Sequence, residues 1–424
     1  MTGFLRLSRF GIVLLLAAIF YLPNAAAYSV LTHEELIDLA WNGSIRPLLL
    51  ARFPRATEDQ LREAHAYAYG GAAIQDMGYY PFSKQFFSDL THYVRSGDFI
   101  GWLFRNARTM NEYAFAIGAL SHYLGDTIGH SEAVNPATAV EFPSLKRKFG
   151  PSVTYDESPH GHIRTEFAFD IDELSDRAFA PPAYLRFIGL QVPQKFLERA
   201  FLNSYGFELE ELFGRGRTSP ALRSYRTSVR SFIPAFAEAE LVLHGHKFPP
   251  DPDDETHRIL AERIAQTNYE RHWAQTLRGP GFRAHLLAAL VFVVPKVGAA
   301  SDLAIKIPSL DTDDWYVRSL NHTVDVFHET LNKMAAGSGS LAALPDLDLD
   351  TGKLIKLGDY PLTDRTYAAL LKRLTSQPDR VIPKDLKQNI LDYYADIEAT
   401  TPSAKKITTQ LNVLNGMKTV DGLK

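Results

Sequence analysis

The sequence predicts an all-α protein, a multi-helix bundle followed by a helical C-terminal extension. Apolar residues recur three and four positions apart, which is the period of an amphipathic helix. Sustained alternation of apolar and polar residues, which is typical of a half-buried strand, is scarce. Thr57 and Gln60 have the spacing of a capping box, which marks the start of a helix. The clearest helical stretches are 34–41, 57–73, 106–124, 221–242 and 255–277.

Residues 1–27 have the pattern of a secretory signal peptide. Arg6 and Arg9 give it a positively charged start, residues 12–22 are apolar, and Ala25 and Ala27 fit a cleavage site. The apolar run is much shorter than the ~20 residues that span a membrane, so cleavage is favoured over a retained anchor. We therefore expect a secreted or periplasmic protein whose mature chain begins at Tyr28.

The composition limits how the mature chain is held together. The protein has no cysteine, so an exported fold must depend on its core, on metal ions, or on both. Any zinc site must then use nitrogen and oxygen ligands, a donor set more typical of catalytic than of structural zinc. The formal charge is only −4, which argues against a partner made of duplex nucleic acid.

The most informative motif lies near the end of a predicted helix. His122, Asp126 and His130 follow one another at intervals of four residues, so their side chains lie along one stripe of the helix. Two imidazoles and a carboxylate on one stripe form a strong ligand set for a transition metal, with zinc as the first candidate. The alternative is a polar helix face that happens to carry two histidines.

Other residues with metal-binding chemistry lie in the same part of the chain. His162 and Glu166 are one helical turn apart, whereas His160 is expected in a loop or behind the ligands. Asp76 ends an Ala- and Gly-rich helix, where backbones pack closely, and His92 follows the next turn. Each pair is a weak signal, but their accumulation in one segment predicts a metal centre.

The order of these residues resembles that of the zinc-dependent phospholipase C family. That family is similar in fold and metal site to the single-strand-specific zinc nucleases of fungi and plants. The anchor of the resemblance is the segment 121–126, Ser-His-Tyr-Leu-Gly-Asp, and the resemblance covers roughly residues 28–170. It implies an all-α enzyme with up to three zinc ions, bound in part by the amine and carbonyl of the mature N-terminus.

Carried over to this chain, the resemblance implies three groups of ligands. The groups are Asp76, His92, His122 and Asp126 for one ion; the amine and carbonyl of Tyr28 with His33, bridged by Asp126, for a second; and His130, His162 and Glu166 for the third. Asp76 is the candidate base that takes a proton from the attacking water.

The chain departs from the bacterial phospholipases in two ways. They commonly begin with Trp, whereas cleavage here exposes Tyr28. They also have a longer, proline-containing spacer before the histidine of the third site, where this chain has only residues 127–129. The shorter spacing is more similar to that of the glycosylphosphatidylinositol-specific phospholipase D branch.

The expected activity is that of a zinc-dependent phosphodiesterase that hydrolyses phospholipids. The first alternative is a single-strand nuclease on the same scaffold, in which Tyr79, Tyr80, Phe82 and Phe86 stack on bases. These aromatic residues could equally contact acyl or choline groups, but aromatic residues of this kind more often simply belong to the core. The second alternative is a non-catalytic helical protein of the cell envelope.

The composition also predicts where the chain divides. A Pro- and Asp-rich stretch at 248–254 separates a predicted catalytic domain, 28–247, from a helical C-terminal region, 255–424, to which the sequence assigns no role. A Gly- and Ser-rich break falls at 336–340. The apolar run 286–294 is predicted to be a buried helix, with peripheral contact to a membrane surface as the alternative.

Overall fold

The computed structural model describes residues 30–175, 179–244, 252–267, 285, 287–288, 306–336, 344–398 and 400–423. The helices before residue 245 are α1 (Val30–Ala40), α2 (Arg46–Arg52), α3 (Glu58–Ala72), α4 (Gln85–Tyr93), α5 (Ser96–Asn106), α6 (Met110–Gly129), α7 (Asn135–Glu141), α8 (Pro143–Phe149), α9 (Pro159–Ser175), α10 (Pro182–Ile188), α11 (Gln194–Tyr205), α12 (Leu209–Phe213), α13 (Thr218–Thr227) and α14 (Ile233–His244). The later helices are α15 (Glu255–Thr267), α16 (Leu310–Ala335), α17 (Pro361–Thr375), α18 (Lys384–Tyr393) and α19 (Pro402–Gly416). The predicted all-α class is confirmed.

The β-structure in the described residues is confined to two-residue strands. Strands β1 (Leu347–Asp348) and β2 (Lys353–Leu354) pair antiparallel, with Leu347 opposite Leu354. Strands β3 (Ile382–Pro383) and β4 (Thr419–Val420) pair parallel, with Ile382 opposite Thr419. These short ladders fix turns between helices and do not form a layer of their own.

Tighter and wider turns interrupt the helices. A 3-10 turn occupies Gln75–Tyr79, and π-helical turns occupy Trp41–Ile45, His130–Val134 and Ser228–Phe232. The stretch 221–242, predicted as one helix, is therefore α13 and α14 joined by a π turn. Residues 268–277 of the last predicted stretch lie outside the described residues, as does most of the apolar run 286–294.

The start of α3 is the capping box expected from the sequence. Thr57 Oγ1 accepts a hydrogen bond from the Gln60 N–H at 3.3 Å, and Gln60 Oε1 accepts one from the Thr57 N–H at 2.9 Å. Thr109 and Glu112 form the same box at the start of α6. Such a cap stabilises a helix by about 1 kcal/mol, and here it fixes where the two central helices begin.

Helices α3 and α6 pack backbone against backbone. A Cβ at Gly71 would lie 2.1 Å from the carbonyl oxygen of Phe115, and one at Gly118 would lie 2.0 Å from that of Ala68. No side chain fits at either distance, so both positions require glycine. The contact places the end of α3, which leads into Asp76, beside the middle of α6.

One apolar core crosses the predicted division at 248–254. It includes Phe99 and Phe201 on one side and Phe327, Tyr367 and Leu386 on the other, all essentially buried. The division into two domains stays a prediction.

No helix in the described ranges has both the length and the apolar character needed to span a membrane. The predicted signal peptide and Tyr28 lie outside the described residues.

Residues 344–352, which we call the C-terminal strap, lie against the ends of α4, α5 and α6. Tyr123 donates a hydrogen bond to the carbonyl of Pro345 at 2.8 Å, and Ser96 donates to that of Leu347 at 2.6 Å. The Leu349 N–H donates to the carbonyl of His92 at 3.2 Å. The strap thus joins the helices that carry the site described next.

Candidate metal centre

Helices from across the bundle bring the predicted ligands together. The eight that lie in the described residues are each at most 2% exposed. They are His33 on α1, Asp76 in the 3-10 turn, His92 on α4, His122 and Asp126 on α6, His130 at the start of the π turn after α6, and His162 and Glu166 on α9. Tyr28, the ninth, lies outside the described residues.

Asp126 lies at the centre of this cluster. Its Oδ1 is 3.3 Å from Nε2 of His33 and 4.0 Å from Nε2 of His130. Its Oδ2 is 3.1 Å from Nε2 of His122 and 3.2 Å from Nε2 of His92. One carboxylate therefore faces four imidazoles on three helices and the following turn, the arrangement expected of a bridging ligand.

Asp76 adds a second carboxylate to the same side of the cluster. Its Oδ1 lies 3.4 Å from Nε2 of His92 and 4.0 Å from Nε2 of His122. Two compact ligand groups result: Asp76 with His92 and His122, and His33 with His122 and Asp126. His122 belongs to both groups, whereas the resemblance implied that Asp126 alone is shared.

The third group lies between α6 and α9. Glu166 Oε1 is 2.8 Å from Nε2 of His162 and 3.2 Å from Nε2 of His130. The structure adds Asp350 from the C-terminal strap, whose Oδ1 is 3.6 Å from Nδ1 of His130. The sequence analysis did not identify Asp350, although the alternation of Asp346, Asp348 and Asp350 was a visible signal.

The spacing of the facing atoms fits zinc. Two ligand atoms bound at about 2.0–2.1 Å to one tetrahedral zinc are about 3.3 Å apart. Nε2 of His92 and Nε2 of His122 are 3.2 Å apart, and Nε2 of His130 and Oε1 of Glu166 are also 3.2 Å apart. The donor set, nitrogen and carboxylate oxygen, is the one that catalytic zinc uses.

Backbone carbonyls orient the two central imidazoles. Nδ1 of His92 donates to the carbonyl of Ser88 at 2.8 Å, and Nδ1 of His122 donates to that of Ala72 at 2.9 Å. Such contacts fix the ring of a metal-binding histidine and direct its other nitrogen to the metal. In both residues the directed atom is Nε2, which faces Asp126.

The buried carboxylates of the cluster need compensating positive charge. Both oxygens of Asp126, Oδ1 of Asp76, Oε1 of Glu166 and Oδ1 of Asp350 are buried and make no hydrogen bond in the described structure. The ion pairs that these four carboxylates form with described residues all involve histidines. Burying carboxylates without a compensating charge costs several kcal/mol per group, and metal ions would supply that charge.

Burial and neighbouring charges set the protonation of the cluster. Burial lowers the pKa of His130 to about 4 and that of His162 to about 3, so both are neutral, the form that binds metal. Burial also acts to lower the pKa of His92, but contacts with Asp126 and Asp76 outweigh it and raise the pKa to about 10. The proton on His92 supplies positive charge next to the buried carboxylates, which a bound metal ion would otherwise supply.

Zinc binding is therefore expected to release a proton from His92 at neutral pH. The metal-free residue keeps its proton up to about pH 10, and Nε2 must lose it before binding a metal, so zinc affinity rises with pH. Calorimetric titration with zinc in two buffers of different ionisation enthalpy measures the protons released. We expect His92→Gln to release fewer protons than the parent. Equal heats in both buffers would contradict the assignment.

The predicted aromatic residues have different environments. Tyr79 is buried, with its ring 6.4 Å from that of His92, and Tyr80 is buried against Tyr225. Phe82 is 65% exposed, and Phe86 is partly buried. His160 is exposed on the first turn of α9, outside the cluster, whereas the sequence analysis expected it in a loop or behind the ligands.

Comparison with known families agrees with this geometry. Residues 32–206 match the family model described as zinc-dependent phospholipase C. The matched segment holds the eight described ligands, whereas Asp350 lies beyond its end. Neither the curated proteins nor the solved structures gave a match. Through its segment 32–206, the chain is similar to the zinc-dependent phospholipase C family, an all-α family.

Proposed function

We propose that the protein is an exported zinc-dependent phosphodiesterase that hydrolyses phospholipids in the manner of a phospholipase C. The observation that carries the proposal is the position of Asp126, buried among four imidazoles within the segment that matches the family. The signal-peptide pattern of residues 1–27 supports a secreted or periplasmic location. Hydrolysis of a lipid headgroup also calls for contact with a membrane surface.

The proposed site holds up to three zinc ions. The residues that would hold them are Asp76, His92, His122 and Asp126; His33 with Asp126 and the N-terminal amine and carbonyl of Tyr28; and His130, His162 and Glu166. Bound zinc lowers the pKa of a coordinated water from 15.7 to about 7 and neutralises charge on the phosphoryl oxygens.

The chain's own residues position the reaction and move its proton. Asp76 is the proposed base, because its Oδ1 is buried without a hydrogen bond and lies at the edge of the cluster, 3.4 Å from His92. Asp126 holds the neighbouring groups at a fixed separation. The carbonyls of Ser88 and Ala72 keep the imidazoles of His92 and His122 from turning away.

The proposal also gives a role to export. The amine of Tyr28 binds metal only after cleavage has exposed it and after it has lost its proton, for which the reference pKa is about 8. His33, five residues later, already contacts Asp126 at 3.3 Å. We therefore propose that cleavage after Ala27 completes the site.

A phospholipid substrate is favoured over single-stranded nucleic acid. Base stacking requires exposed aromatic faces, yet Tyr79 and Tyr80 are only 7% and 2% exposed. Four of the buried tyrosines, Tyr79, Tyr93, Tyr155 and Tyr360, instead pack together beside the cluster. Of the four candidate stacking residues only Phe82 has a largely exposed ring, and one exposed ring is a poor platform for successive bases.

We expect the mature, zinc-loaded protein to release phosphocholine and diacylglycerol from phosphatidylcholine vesicles, and to leave single-stranded DNA intact. A chelator should reduce the rate to background, and added zinc should restore it. Mass spectrometry of the products identifies which bond is cut, since a phospholipase D would release choline. Absence of hydrolysis of any phospholipid after zinc has been restored would contradict the proposal.

A matched control tests the role of the chain end. The same protein with one additional residue ahead of Tyr28 retains every side-chain ligand but moves the amine. It should bind less zinc and hydrolyse the vesicles more slowly. Equal activity of the two forms would reject the terminal amine as a ligand while leaving the enzyme assignment intact.

A further inference from the structure

Asp350 reaches the third ligand group from outside the segment that matches the family. It is fully buried, and its backbone carbonyl accepts a hydrogen bond from Nδ2 of Asn135 at 2.8 Å. Asn135 lies at the start of α7, directly after the π turn that begins at His130. The strap is thus attached to the chain segment that carries the third-site histidine.

The strap is held in place on both sides of Asp350. Ser96 and Tyr123 bind the carbonyls of Leu347 and Pro345 ahead of it. Gly352 follows with a φ of +69°, and a Cβ there would lie 2.8 Å from the carbonyl oxygen of Thr127 on α6. A larger residue at position 352 would be strained and would push the strap away from α6.

The two oxygens of Asp350 have different environments. Oδ2 accepts hydrogen bonds from the Tyr155 N–H, at 2.9 Å, and from the hydroxyl of Tyr360. Oδ1 is buried, makes no hydrogen bond in the described structure, and lies 3.6 Å from Nδ1 of His130. Anchoring the strap therefore occupies one oxygen and leaves the other directed at the imidazole.

The ring of His130 presents its other nitrogen to the cluster. Nε2 lies 3.2 Å from Oε1 of Glu166 and 4.0 Å from Oδ1 of Asp126, whereas Nδ1 is the atom that faces Asp350. Histidines that bind metal commonly direct the other ring N–H to a carboxylate, which orients the ring and raises its basicity. We propose that Asp350 is a positioning residue that orients His130 toward the third metal ion.

This inference rests on the proposed zinc centre and extends it beyond residues 32–206. It gives the C-terminal region a role, since the strap supplies a carboxylate that faces His130 on the side of the ring away from the cluster. The distance of 3.6 Å between Oδ1 of Asp350 and Nδ1 of His130 is longer than a hydrogen bond, so the positioning role requires this contact to shorten in the zinc-bound protein.

Asp348 provides a matched control in the same strap. Its Oδ1 accepts hydrogen bonds from the N–H groups of Asp350 and Thr351, and its Oδ2 accepts one from the Thr351 hydroxyl. Both oxygens are used within the turn, and asparagine can keep the Oδ1 contacts. Asp348→Asn therefore makes the same carboxylate-to-amide change, two residues away, without touching His130.

The test compares zinc binding by the full mature parent, Asp350→Asn and Asp348→Asn, using competition with a chromophoric chelator. Asp350→Asn should weaken binding of one ion by about 10- to 100-fold, the usual effect of losing such a carboxylate. Its metal-free melting temperature should match that of the parent. Asp348→Asn should bind every ion with parental affinity.

If Asp350→Asn binds zinc with parental affinity, the inference about Asp350 is overturned but the proposed function is not. If zinc binding is weakened equally in Asp350→Asn and Asp348→Asn, Asp350 only anchors the strap and the inference is overturned. Loss of one ion beyond about 1,000-fold would make Asp350 a direct ligand and so overturn the positioning role. A parent chain that binds no zinc would overturn the proposed function as well. If Asp350→Asn does not fold, Tyr360→Phe replaces it in the test. Its affinity for the same zinc ion should fall several-fold, and an unchanged affinity would contradict the inference.

Discussion

Replacing Asp126 by asparagine is expected to reduce hydrolysis by roughly 10³-fold or more and to remove more zinc than any other single ligand change. Losing one preorganised electrostatic contact with a transition state costs about 10²–10³-fold. Asp126 faces His33, His92, His122 and His130, so in the proposed centre its charge would serve more than one ion. The measurements are zinc content by mass spectrometry and the initial rate of phosphocholine release.

Asp38→Asn is the matched control for this change. Asp38 is also a buried carboxylate on a helix paired with a histidine, with its Oδ1 2.8 Å from Nε2 of His65, but it lies outside the ligand groups. It should keep the zinc content and activity of the parent even if the protein melts at a lower temperature. Full zinc content in Asp126→Asn would show that Asp126 does not bridge.

The second large effect is expected at His162, with its neighbour His160 as the internal control. His162 is fully buried, with Nε2 2.8 Å from Glu166, whereas His160 is exposed on the same helix. His162→Ala should lose the third ion and lower the rate by about 10²-fold or more. His160→Ala should keep a zinc content and a hydrolysis rate close to those of the parent. An equal loss at His160 would mean that the assignment within His160–Glu166 is wrong.

The local part of this site could be predicted from the sequence because helix geometry is regular. Intervals of four residues place His122 and Asp126 on one stripe of α6, and the same interval joins His162 and Glu166 on α9. The close packing of the Ala- and Gly-rich α3, expected from composition, is explained by Gly71 and brings Asp76 beside α6. The metal-binding roles of these residues stay predictions, but their convergence is a property of the structure.

The part of the site that the sequence analysis did not identify, Asp350, depends on contacts between distant segments, which periodicity does not reveal. Asp350 lies in a strap with a two-residue strand, and no helical interval links it to His130. Its position follows from hydrogen bonds to Ser96, Tyr123 and Asn135 in other helices. The π turn between α13 and α14 was missed for a related reason, since the apolar pattern continues through it.

Sequence reasoning also left open which of the aromatic residues are buried in the core and which a substrate could contact. Tyr79, Tyr80, Phe82 and Phe86 have similar chemistry, and composition alone treats them as equivalent. The structure separates them, because Phe82 is exposed with a positive φ of 70° whereas Tyr80 packs against Tyr225. Burial, which depends on the whole fold, decides which aromatic faces a substrate can reach.

The most direct test is the anomalous diffraction of crystals of the mature, zinc-loaded protein, recorded on both sides of the zinc absorption edge. We predict anomalous peaks inside the buried cluster, at about 2.0–2.2 Å from Nε2 of His92 and His122, from Asp126, and from Nε2 of His162. Peaks confined to the surface, or none within reach of Asp126, would contradict the metal centre on which the proposed function depends.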